Sequence, residues 1–347
     1  EAITVVDEAP LVQQTPSLGT VVSEQQLENL PLNGRQFANL AILAPGTSLA
    51  YNSDPTKPGQ LTVALNGGIG RNVNYMVDGG DNTDDTIGGA LQNFNLEAVQ
   101  EFRIQTQQYK AEYGRSTGGV LTVITKTGTN DFGGTVYGFL RNEGLNSETE
   151  SENLRGVGKQ DYDRKQYGIS FGGPIIRDRL WLWAGYSKQQ IDLLQASGSI
   201  HLADKTTLET IHGKLNAQFT PQYSFSSSVM IGSKVKIGRN VGPTRPQETG
   251  WNQDNSYTGP TMWKIEDTHV FGSNLYLTGL FSHVEGGFQL ISDNGEGCNT
   301  IECGLSGQPA LWDFSDTGAG IPTRSYYNYY TEPETIQGLN SSIALSY

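Results

Sequence analysis

An acidic run in the first third of the chain holds the densest group of side chains that could do chemistry. The run VDGGDNTDD contains Asp78, Asp81, Asn82, Asp84 and Asp85. Oxygen atoms at this density suit Ca²⁺, which takes several oxygen ligands from a flexible loop. The spacing differs from that of an EF-hand loop, because the late bidentate glutamate is missing. We therefore favour a solvated acidic turn and keep a Ca²⁺ site as the alternative.

The other residue types used in catalysis do not form a recognisable group. The four histidines stand in different segments, and none is spaced from another as in a metal or catalytic pair: His201, His212, His269 and His283. No serine occupies a nucleophile elbow, and no cysteine lies beside a histidine. We therefore predict that the protein is not an enzyme, and we assign no catalytic residue, metal ligand or cofactor.

The two cysteines lie close together in the segment CNTIEC, at Cys298 and Cys303. Two cysteines are too few for a disulfide scaffold, and no nearby histidine completes a zinc site. We expect a small local disulfide, formed in an oxidising compartment.

Composition narrows the class of protein. The net charge is -13, which argues against a nucleic-acid partner because phosphate recognition needs a basic surface. The 43 glycines and 14 prolines argue against long helices, while 16 Tyr, 12 Phe and 5 Trp argue against disorder. No apolar run approaches the ~18 residues of a membrane helix, so any membrane span would consist of strands.

Residues 1–130 predict a small α+β unit. Ser23 and Gln26 form a capping-box signature before a short helix that Pro31 ends. A second helical spacing follows in NGRQFANLAILAPG. Four β-rich runs come next, separated by Gly, Asn and Asp: LTVALNG, NVNYMVDGG, EFRIQT and GGVLTVITK.

From Phe132 onward the pattern changes to segments of about ten residues with period-two alternation, which is typical of membrane-spanning strands. Across 211–219 the odd-numbered residues are mostly apolar, whereas the even-numbered ones are polar: His212, Lys214, Asn216 and Gln218. We predict eight such strands, near 132–141, 164–173, 179–188, 207–219, 222–236, 261–271, 274–286 and 335–347.

The connections between these segments alternate in length. Short turns occur at 174–178, 220–221 and 272–273, and long polar connections at 142–163, 189–206, 237–260 and 287–334. Outer-membrane barrels have short periplasmic turns and long external loops, so this rhythm favours a barrel with the two cysteines in its fourth external loop. A soluble sandwich with one apolar face per sheet is the alternative.

Several ordered motifs then resemble a known family. The run from APLVQQTPSLG to NLAILAPG, the segment NYMVDGGDN and the run from VQEFRIQTQQYKAEYGRSTGG to VYGFLRN resemble the plug domain and first barrel strand of TonB-dependent outer-membrane transporters. The segment FGGPIIRDRLWLWAGY is similar to a hairpin that is typical of the Oar-like subgroup. The resemblance extends from residue 4 to about residue 190.

This resemblance implies an α+β plug domain followed by antiparallel transmembrane β-barrel strands, within a family barrel of about 22 strands. About eight strands are present here, so we interpret residues 1–130 as the plug and residues 131–347 as the N-terminal part of the barrel. No TonB-box-like peptide precedes the plug, and residues 1–9 are compatible with the tail of an upstream domain.

The resemblance also assigns roles to the polar residues. It implies that the acidic run at 78–85 lies in a plug loop that meets an external ligand. In YGRSTGG, Glu112 and Arg115 would pair with the barrel wall, and Gly118 and Gly119 would allow close backbone approach. The polar face of 212–218 would line the lumen.

A transporter in the bacterial outer membrane is therefore the function that the resemblance implies. Its partners would be outer-membrane lipid, an unidentified extracellular ligand and a TonB-type inner-membrane complex that supplies energy. Two alternatives remain. One keeps the fold but makes the barrel a surface adhesin or a protein-export channel, and the other is a soluble secreted β-sandwich that binds carbohydrate.

Overall fold

The structure is a computed structural model of the 347-residue chain. The residues that it describes are 18–30, 37–50, 62–68, 72–84, 89–92, 96–107, 109, 113, 116–156, 161–197, 200–239, 251–254, 261–272, 275–286, 289–292, 311–313, 323–325 and 334–345.

The N-terminal third forms a small mixed sheet with short helical turns. Its seven strands are β1 (Leu18–Ser23), β2 (Thr47–Ala50), β3 (Thr62–Leu65), β4 (Val73–Val77), β5 (Gly80–Asp81), β6 (Val99–Gln107) and β7 (Gly119–Thr125). Five of them make what we call the small sheet, in the order β1-β6-β7-β4-β5, while β2 and β3 form a separate hairpin. All neighbours in the small sheet are antiparallel except β4 and β7.

Short helices close the ends of this unit. The capping box predicted at Ser23 is present and begins α1 (Glu24–Asn29). The second predicted helix is present as a 3₁₀ helix, Phe37–Leu43. Pro45 and Gly46 end it after two turns. Two single 3₁₀ turns, Leu96–Ala98 and Glu143–Leu145, and α2 (Glu150–Arg155) complete the described helices. None of the described helices is long and apolar enough to cross a membrane.

The rest of the chain forms a second, larger sheet. Its strands are β8 (Gly133–Asn142), β9 (Asp161–Ile176), β10 (Leu180–Ser197), β11 (Ile200–Thr220), β12 (Tyr223–Arg239), β13 (Trp251–Asp254), β14 (Thr261–Phe271), β15 (Leu275–Gly286), β16 (Gln289–Ser292) and β19 (Glu334–Leu345). A separate pair lies between the last two of these, β17 (Leu311–Asp313) with β18 (Thr323–Ser325).

Eight strands of this second sheet follow one another in chain order, β8-β9-β10-β11-β12-β14-β15-β19, and every neighbouring pair is antiparallel. We call these eight strands the large sheet. The prediction of eight consecutive antiparallel strands is confirmed.

One predicted loop is wrong. Residues 189–206 were expected to form a long external loop, but β10 and β11 remain paired as far as Ser197 and Ile200. The alternation of apolar and polar residues that identifies a membrane strand weakens in this segment, so the sequence pattern did not indicate the pairing. Backbone hydrogen bonding does not depend on that alternation, so the ladder continues beyond it.

The two faces of the large sheet differ in chemistry. The face turned away from the small sheet carries exposed apolar side chains along β9, β11, β12 and β14: Tyr167, Ile169, Phe171, Ile211, Phe219, Val229, Ile231, Ile265 and Phe271. The opposite face buries polar and charged side chains, among them Arg164, Thr210, His212, Lys214, Lys234 and Lys264. This pattern is the reverse of a soluble sheet, and it does not favour the β-sandwich alternative.

The small sheet packs against that polar face. Its core is formed by side chains such as Phe102, Ile104 and Leu121, all of which are almost fully buried. Met230, Met262 and Val284 of the large sheet belong to the same hydrophobic cluster. The two sheets therefore share one core along β12, β14 and β15.

Candidate functional site

The acidic run forms a tight hairpin turn whose backbone explains its Asp-Gly-Gly sequence. Asp78 and Gly79 connect β4 to β5, and Val77 pairs with Gly80. Both central residues have positive φ, 48° for Asp78 and 86° for Gly79. A two-residue turn of this kind strongly prefers Asp-Gly, because only Gly and a few short polar residues tolerate that conformation. The turn thus points a carboxylate out of the small sheet.

That carboxylate ends in a buried ion pair between the two sheets. The Asp78 carboxylate accepts a hydrogen bond of 2.9 Å from Nζ of Lys214, which lies on β11. Both side chains are almost completely buried, with 3% of Asp78 and 6% of Lys214 exposed. Thr125 completes the group: its backbone N–H and its hydroxyl both donate to the Asp78 carboxylate. Nζ of Lys214 also donates to the Thr125 carbonyl, at 3.1 Å.

Charge and hydrogen bonding keep Asp78 ionised. Burial by itself raises the pKa of the Asp78 carboxyl, but the ammonium groups of Lys214 and Lys264 and the hydrogen bonds from Thr125 outweigh it. The pKa of Asp78 therefore lies below its ordinary value of 3.8. Removal of one partner from such a pair leaves an uncompensated buried charge, which costs about 3–5 kcal/mol.

Two more lysines of the large sheet bond backbone carbonyls of the N-terminal unit that contains the small sheet. Lys264 on β14 donates to the carbonyl of Asp78 and, at 2.7 Å, to the Glu266 carboxylate. Lys234 on β12 donates to the Leu91 carbonyl at 3.2 Å. We call Lys214, Lys234 and Lys264, with their partners Asp78 and Leu91, the lysine contact.

Close packing surrounds the lysine contact. A Cβ atom added at Gly79 would lie 2.8 Å from a methyl carbon of Leu280, and one added at Gly80 would lie 2.8 Å from the methyl carbon of Met262. Such distances are well below van der Waals contact. Side chains at these two positions would require Leu280 and Met262 to move, so the glycines allow the turn to pack closely against β14 and β15.

The remaining residues of the acidic run build a short hairpin. Asn82 is fully buried. Its side-chain oxygen accepts a hydrogen bond from the Gln92 N–H at 2.9 Å, and its side-chain amide donates to the Gln92 carbonyl at 3.2 Å. Asp81 accepts from the backbone N–H of Thr83 at 2.9 Å, and the N–H of Asp84 donates to the Gly89 carbonyl. Asp84 is 7% exposed.

The expected solvated acidic turn is therefore wrong for this segment. Asp78, Asn82 and Asp84 are all buried, because the turn packs against the large sheet instead of facing water. Within the residues that the structure describes, no three His, Cys, Asp or Glu side chains are grouped to hold a metal ion. The carboxylate of Asp78 is already occupied by an ammonium group and Thr125.

The glycines of the YGRSTGG motif lie at a crowded point of the small sheet. A Cβ atom added at Gly119 would lie 2.3 Å from Leu65 and 2.6 Å from the carbonyl oxygen of Gln105. One at Gly118 would lie 3.0 Å from the carbonyl oxygen of Asn72. Close backbone approach is what requires glycine at both positions.

The four polar residues of β11 occupy the face turned toward the small sheet, at different depths. His212 is 4% exposed and packs edge-on against Trp183, with ring centroids 5.2 Å apart. Asn216 donates to the hydroxyl of Ser226, and Gln218 donates to the carbonyl of Thr220 near the turn. Of these four residues, Lys214 donates a hydrogen bond to Asp78.

Several predicted site residues lie outside the part of the chain that the structure describes. They are Asp85, Glu112, Arg115, Cys298 and Cys303. Conversely, the sequence analysis missed Thr125, Lys234 and Lys264. A usable signal existed for the lysines, since each stands at a polar position of an alternating strand, in SKVKIG and in MWKIED.

A second group of contacts joins the segment after β7 to the first turn of the large sheet. The Asn130 side-chain oxygen accepts from the N–H of Asp178 and from the indole N–H of Trp181, both at 2.8 Å. Its amide donates to the Asp178 carboxylate at 2.6 Å. A Cβ atom at Gly128 would lie 2.4 Å from the Leu182 carbonyl oxygen. The segment 127–131, which we call the linker, is thus attached to the β9–β10 turn.

Comparisons with known proteins agree with this architecture. Residues 124–200 match a family model described as an outer membrane beta barrel domain. Over 159 residues the chain is 35% identical to the TonB-dependent transporter Oar of Myxococcus xanthus. That match covers 44% of this chain and 14% of the relative.

Solved structures with the same fold are outer-membrane proteins of similar plan. The outer membrane transporter YddB from Escherichia coli aligns with a TM-score of 0.64 at 14% identity, over 82% of this chain and 41% of its own. The ferric enterobactin receptor PfeA from Pseudomonas aeruginosa aligns with a TM-score of 0.57 at 12% identity, over 84% and 44%. The chain thus spans less than half the length of these structures.

Fold and comparisons together define a bacterial outer-membrane protein with a partial β-barrel and an inner α+β unit. Its resemblance to TonB-dependent outer-membrane transporters of the Oar-like subgroup is confirmed. These named relatives are transporters and receptors, not enzymes.

Proposed function

We propose that the protein acts as a TonB-dependent transporter, in which the small sheet is the plug and the large sheet is part of the barrel wall. The observation that carries this proposal is the lysine contact. A buried ion pair and two lysine–carbonyl bonds hold one unit against the polar face of the other.

A contact of this kind suits a plug that moves only when energy is supplied. Spontaneous separation would expose Asp78 and Lys214 unpaired, and breaking a buried pair is strongly unfavourable. A periplasmic pull on the plug, powered by a TonB-type inner-membrane complex, would supply that energy. The unidentified ligand would bind on the external side, and outer-membrane lipid would contact the apolar outer face of the large sheet.

The test compares cells that express the full-length protein with cells that lack it, in the presence and absence of a protonophore. Solutes removed from a defined medium are identified by mass spectrometry. We expect at least one solute that only energised, expressing cells accumulate. Lys214→Met should change its uptake, while Lys188→Met, on the outer face of the neighbouring strand, should not.

A different result would support another function. If no solute is taken up and the expressing cells instead attach to surfaces or release a protein into the medium, the transporter proposal is wrong. Adhesion or export would then take its place.

A further inference from the structure

An exposed carboxylate lies in the apolar outer face of the large sheet. Asp267 is exposed on the same face of β14 as Ile265 and Phe271. Met262 and Lys264 are buried on the opposite face, toward the small sheet. The strands of a membrane barrel alternate between lipid and lumen in this way, so Asp267 faces the lipid.

Two aromatic groups place Asp267 inside the apolar band and not at its edge. Toward the start of β14, the Trp263 and Phe281 ring centroids lie 5.2 Å apart. Toward its end, His269 stacks on Phe271 with ring centroids 4.5 Å apart. Aromatic girdles mark the two interfaces of a membrane barrel. With about 3.3 Å per residue and a strand tilt of about 40°, Asp267 differs in depth from Trp263 and from Phe271 by about 10 Å.

Hydrocarbon cannot satisfy a carboxylate at this depth. Ionisable side chains within a membrane are costly, and as a rule they contact protein partners. The Tyr223 hydroxyl donates a hydrogen bond to Asp267, but a phenol brings no positive charge. The neighbouring ion pair of Glu266 with Lys264 lies on the opposite face of the strand. Asp267 thus marks a place where protein, and not lipid, covers the outer face.

A side chain that complements a carboxylate lies on the same face. The His269 ring stacks between Tyr223, at 5.2 Å, and Phe271, at 4.5 Å, with interplanar angles of 28° and 12°. Stacking covers the faces of the imidazole, so its hydrogen bonds form at the edge of the ring, where the N–H group lies. We call Tyr223, Asp267 and His269 the outer polar patch.

A recess beside Asp267 allows another protein surface to come close. Gly279 on β15 pairs with Asp267, and a Cβ atom added to this glycine would meet nothing within 4 Å. Leu277 and Phe281 flank it on the same face of β15. Small residues at a contact in the membrane let two backbones approach closely.

We propose that the outer polar patch binds the same patch of a second copy of this chain, with Asp267 of each copy accepting a hydrogen bond from His269 of the other. A two-fold contact needs an acceptor and a donor on one surface, and the patch carries both. The proposal concerns the outer face alone and does not rest on the proposed transport function.

The geometry of a membrane barrel is compatible with this pairing. Both copies are inserted in the same direction, so the two-fold axis runs along the membrane normal and equivalent residues lie at equal depth. Asp267 and His269 face the same side of β14, and their depths differ by about 5 Å. The two side chains together span this offset. The contact then forms two equivalent hydrogen bonds and removes both carboxylates from lipid.

Photo-cross-linking of the full-length protein in outer membranes tests the contact. The photoreactive residue p-benzoylphenylalanine replaces Ile265, which neighbours Asp267 on the outer face. Ile211, an exposed isoleucine of the same face on β11, is the matched control position. We expect illumination to give a product of twice the monomer mass from position 265, at about ten times the yield from position 211, because the second position lies two strands further from the axis.

Variants then test the residues of the contact, with the probe at position 265. Asp267→Leu and His269→Phe should each lower the yield of the dimer about tenfold, because both hydrogen bonds are lost. The exchange of Asp267→His with His269→Asp should restore it, since acceptor and donor remain paired. The unheated and heated proteins are compared on gels to confirm that each variant is folded.

A pair of glycine variants tests the recess. Gly279→Leu adds a side chain that meets nothing in its own chain, and it should lower the yield of the dimer by blocking close approach. Gly213→Leu, on the outer face of β11, is the matched control and should leave the yield unchanged. A Cβ atom at Gly213 has an ordinary contact of 3.7 Å with Val229.

Other results would overturn the proposal. A product that contains a different protein, or only lipid, would mean that this partner and not a second copy covers the patch. Equal yields from positions 265 and 211 would mean that copies collide without a defined contact. A folded exchange variant that stays monomeric would remove Asp267 and His269 as the paired residues. None of these results bears on uptake, so the transport proposal is judged separately.

Discussion

The large sheet meets the small sheet in two ways, and the difference shows how burial sets the strength of a charged contact. On the side of β11 to β15 the contact combines a shared hydrophobic core with buried lysines that bond Asp78 and Leu91. On the side of β8 and β9 it consists of a polar cavity and one half-exposed ion pair.

The energetic contrast follows from burial. A charge pair that is almost completely removed from water is costly to separate, because each charge would be left without solvent or partner. A half-exposed pair loses little, because water replaces the partner. Each of the two ion pairs consists of one carboxylate and one lysine, so the difference between the pairs comes from their surroundings and not from the residue types.

The largest effect is expected from the buried pair. Lys214→Met should reduce the free energy of opening of the small sheet by about 3–5 kcal/mol, because Asp78 loses its principal charged partner. Hydrogen exchange at the Val120 and Val123 amides of full-length protein in detergent would measure this. Lys188→Met, which breaks a partly exposed pair, is the control and should cost less than about 1 kcal/mol. Equal losses in both variants would contradict the contrast.

The second-largest loss of stability is expected from the hydrophobic core that the two sheets share along β12, β14 and β15. Met262→Ala removes a buried side chain that packs on Gly80, and we expect a loss of about 2–3 kcal/mol in the same exchange measurement. Ser170→Ala, on the side with the cavity, should change the exchange by less than about 0.5 kcal/mol. A larger loss for Ser170→Ala than for Met262→Ala would mean that the contact along β8 and β9 is the stronger of the two.

Acid should weaken the contact between Asp78 and Lys214, but less than the Lys214→Met substitution does. The pKa of Asp78 is depressed in the folded protein, so its stabilising contribution is complete above its ordinary pKa of 3.8. That contribution is lost as the pH falls below 3.8 through the lower folded value. Protonated Asp78 still bonds Thr125, which limits the loss. Thermal melts from pH 7 to pH 3 should show no Asp78-dependent change above about pH 5, and the Asp78→Asn variant is the control. An Asp78-dependent loss already at pH 6 would argue against a depressed pKa.

The smallest effect is expected for the partly exposed ion pair of Glu24 with Lys126. Glu24→Gln should lower the stability of the small sheet by less than about 1 kcal/mol, since the carboxylate is half-exposed. Hydrogen exchange at the β1 amides of the full-length protein, recorded at increasing denaturant concentration, would measure this loss of stability. A loss comparable to that of Lys214→Met would show that both sides are equally firm.

Much of the large sheet was predictable because membrane strands must alternate. In 211–219 the apolar residues Ile211 and Phe219 are exposed, while the alternating polar residues His212 and Lys214 are buried. The hairpin extension at 189–206 was not predictable, because its residues do not follow the alternation of apolar and polar residues that identifies the rest of the strands.

The candidate site was predicted less completely. The Asp-Gly turn follows from local sequence, since Asp78 and Gly79 both need positive φ. Its burial does not follow, because a run of acids is normally solvated and the opposing lysines lie far along the chain. The same limit explains why Thr125, Lys234 and Lys264 were missed.

The sequence by itself determined which residues lie on strands, which face of each strand is apolar and where the tight turn falls. These properties depend on neighbours two to four positions away. Only the tertiary structure decided that Asp78 meets Lys214, 136 positions later, and that a cavity remains on the side of β8 and β9. Such contacts depend on how two separately formed sheets pack together, and no local pattern of residues records that packing.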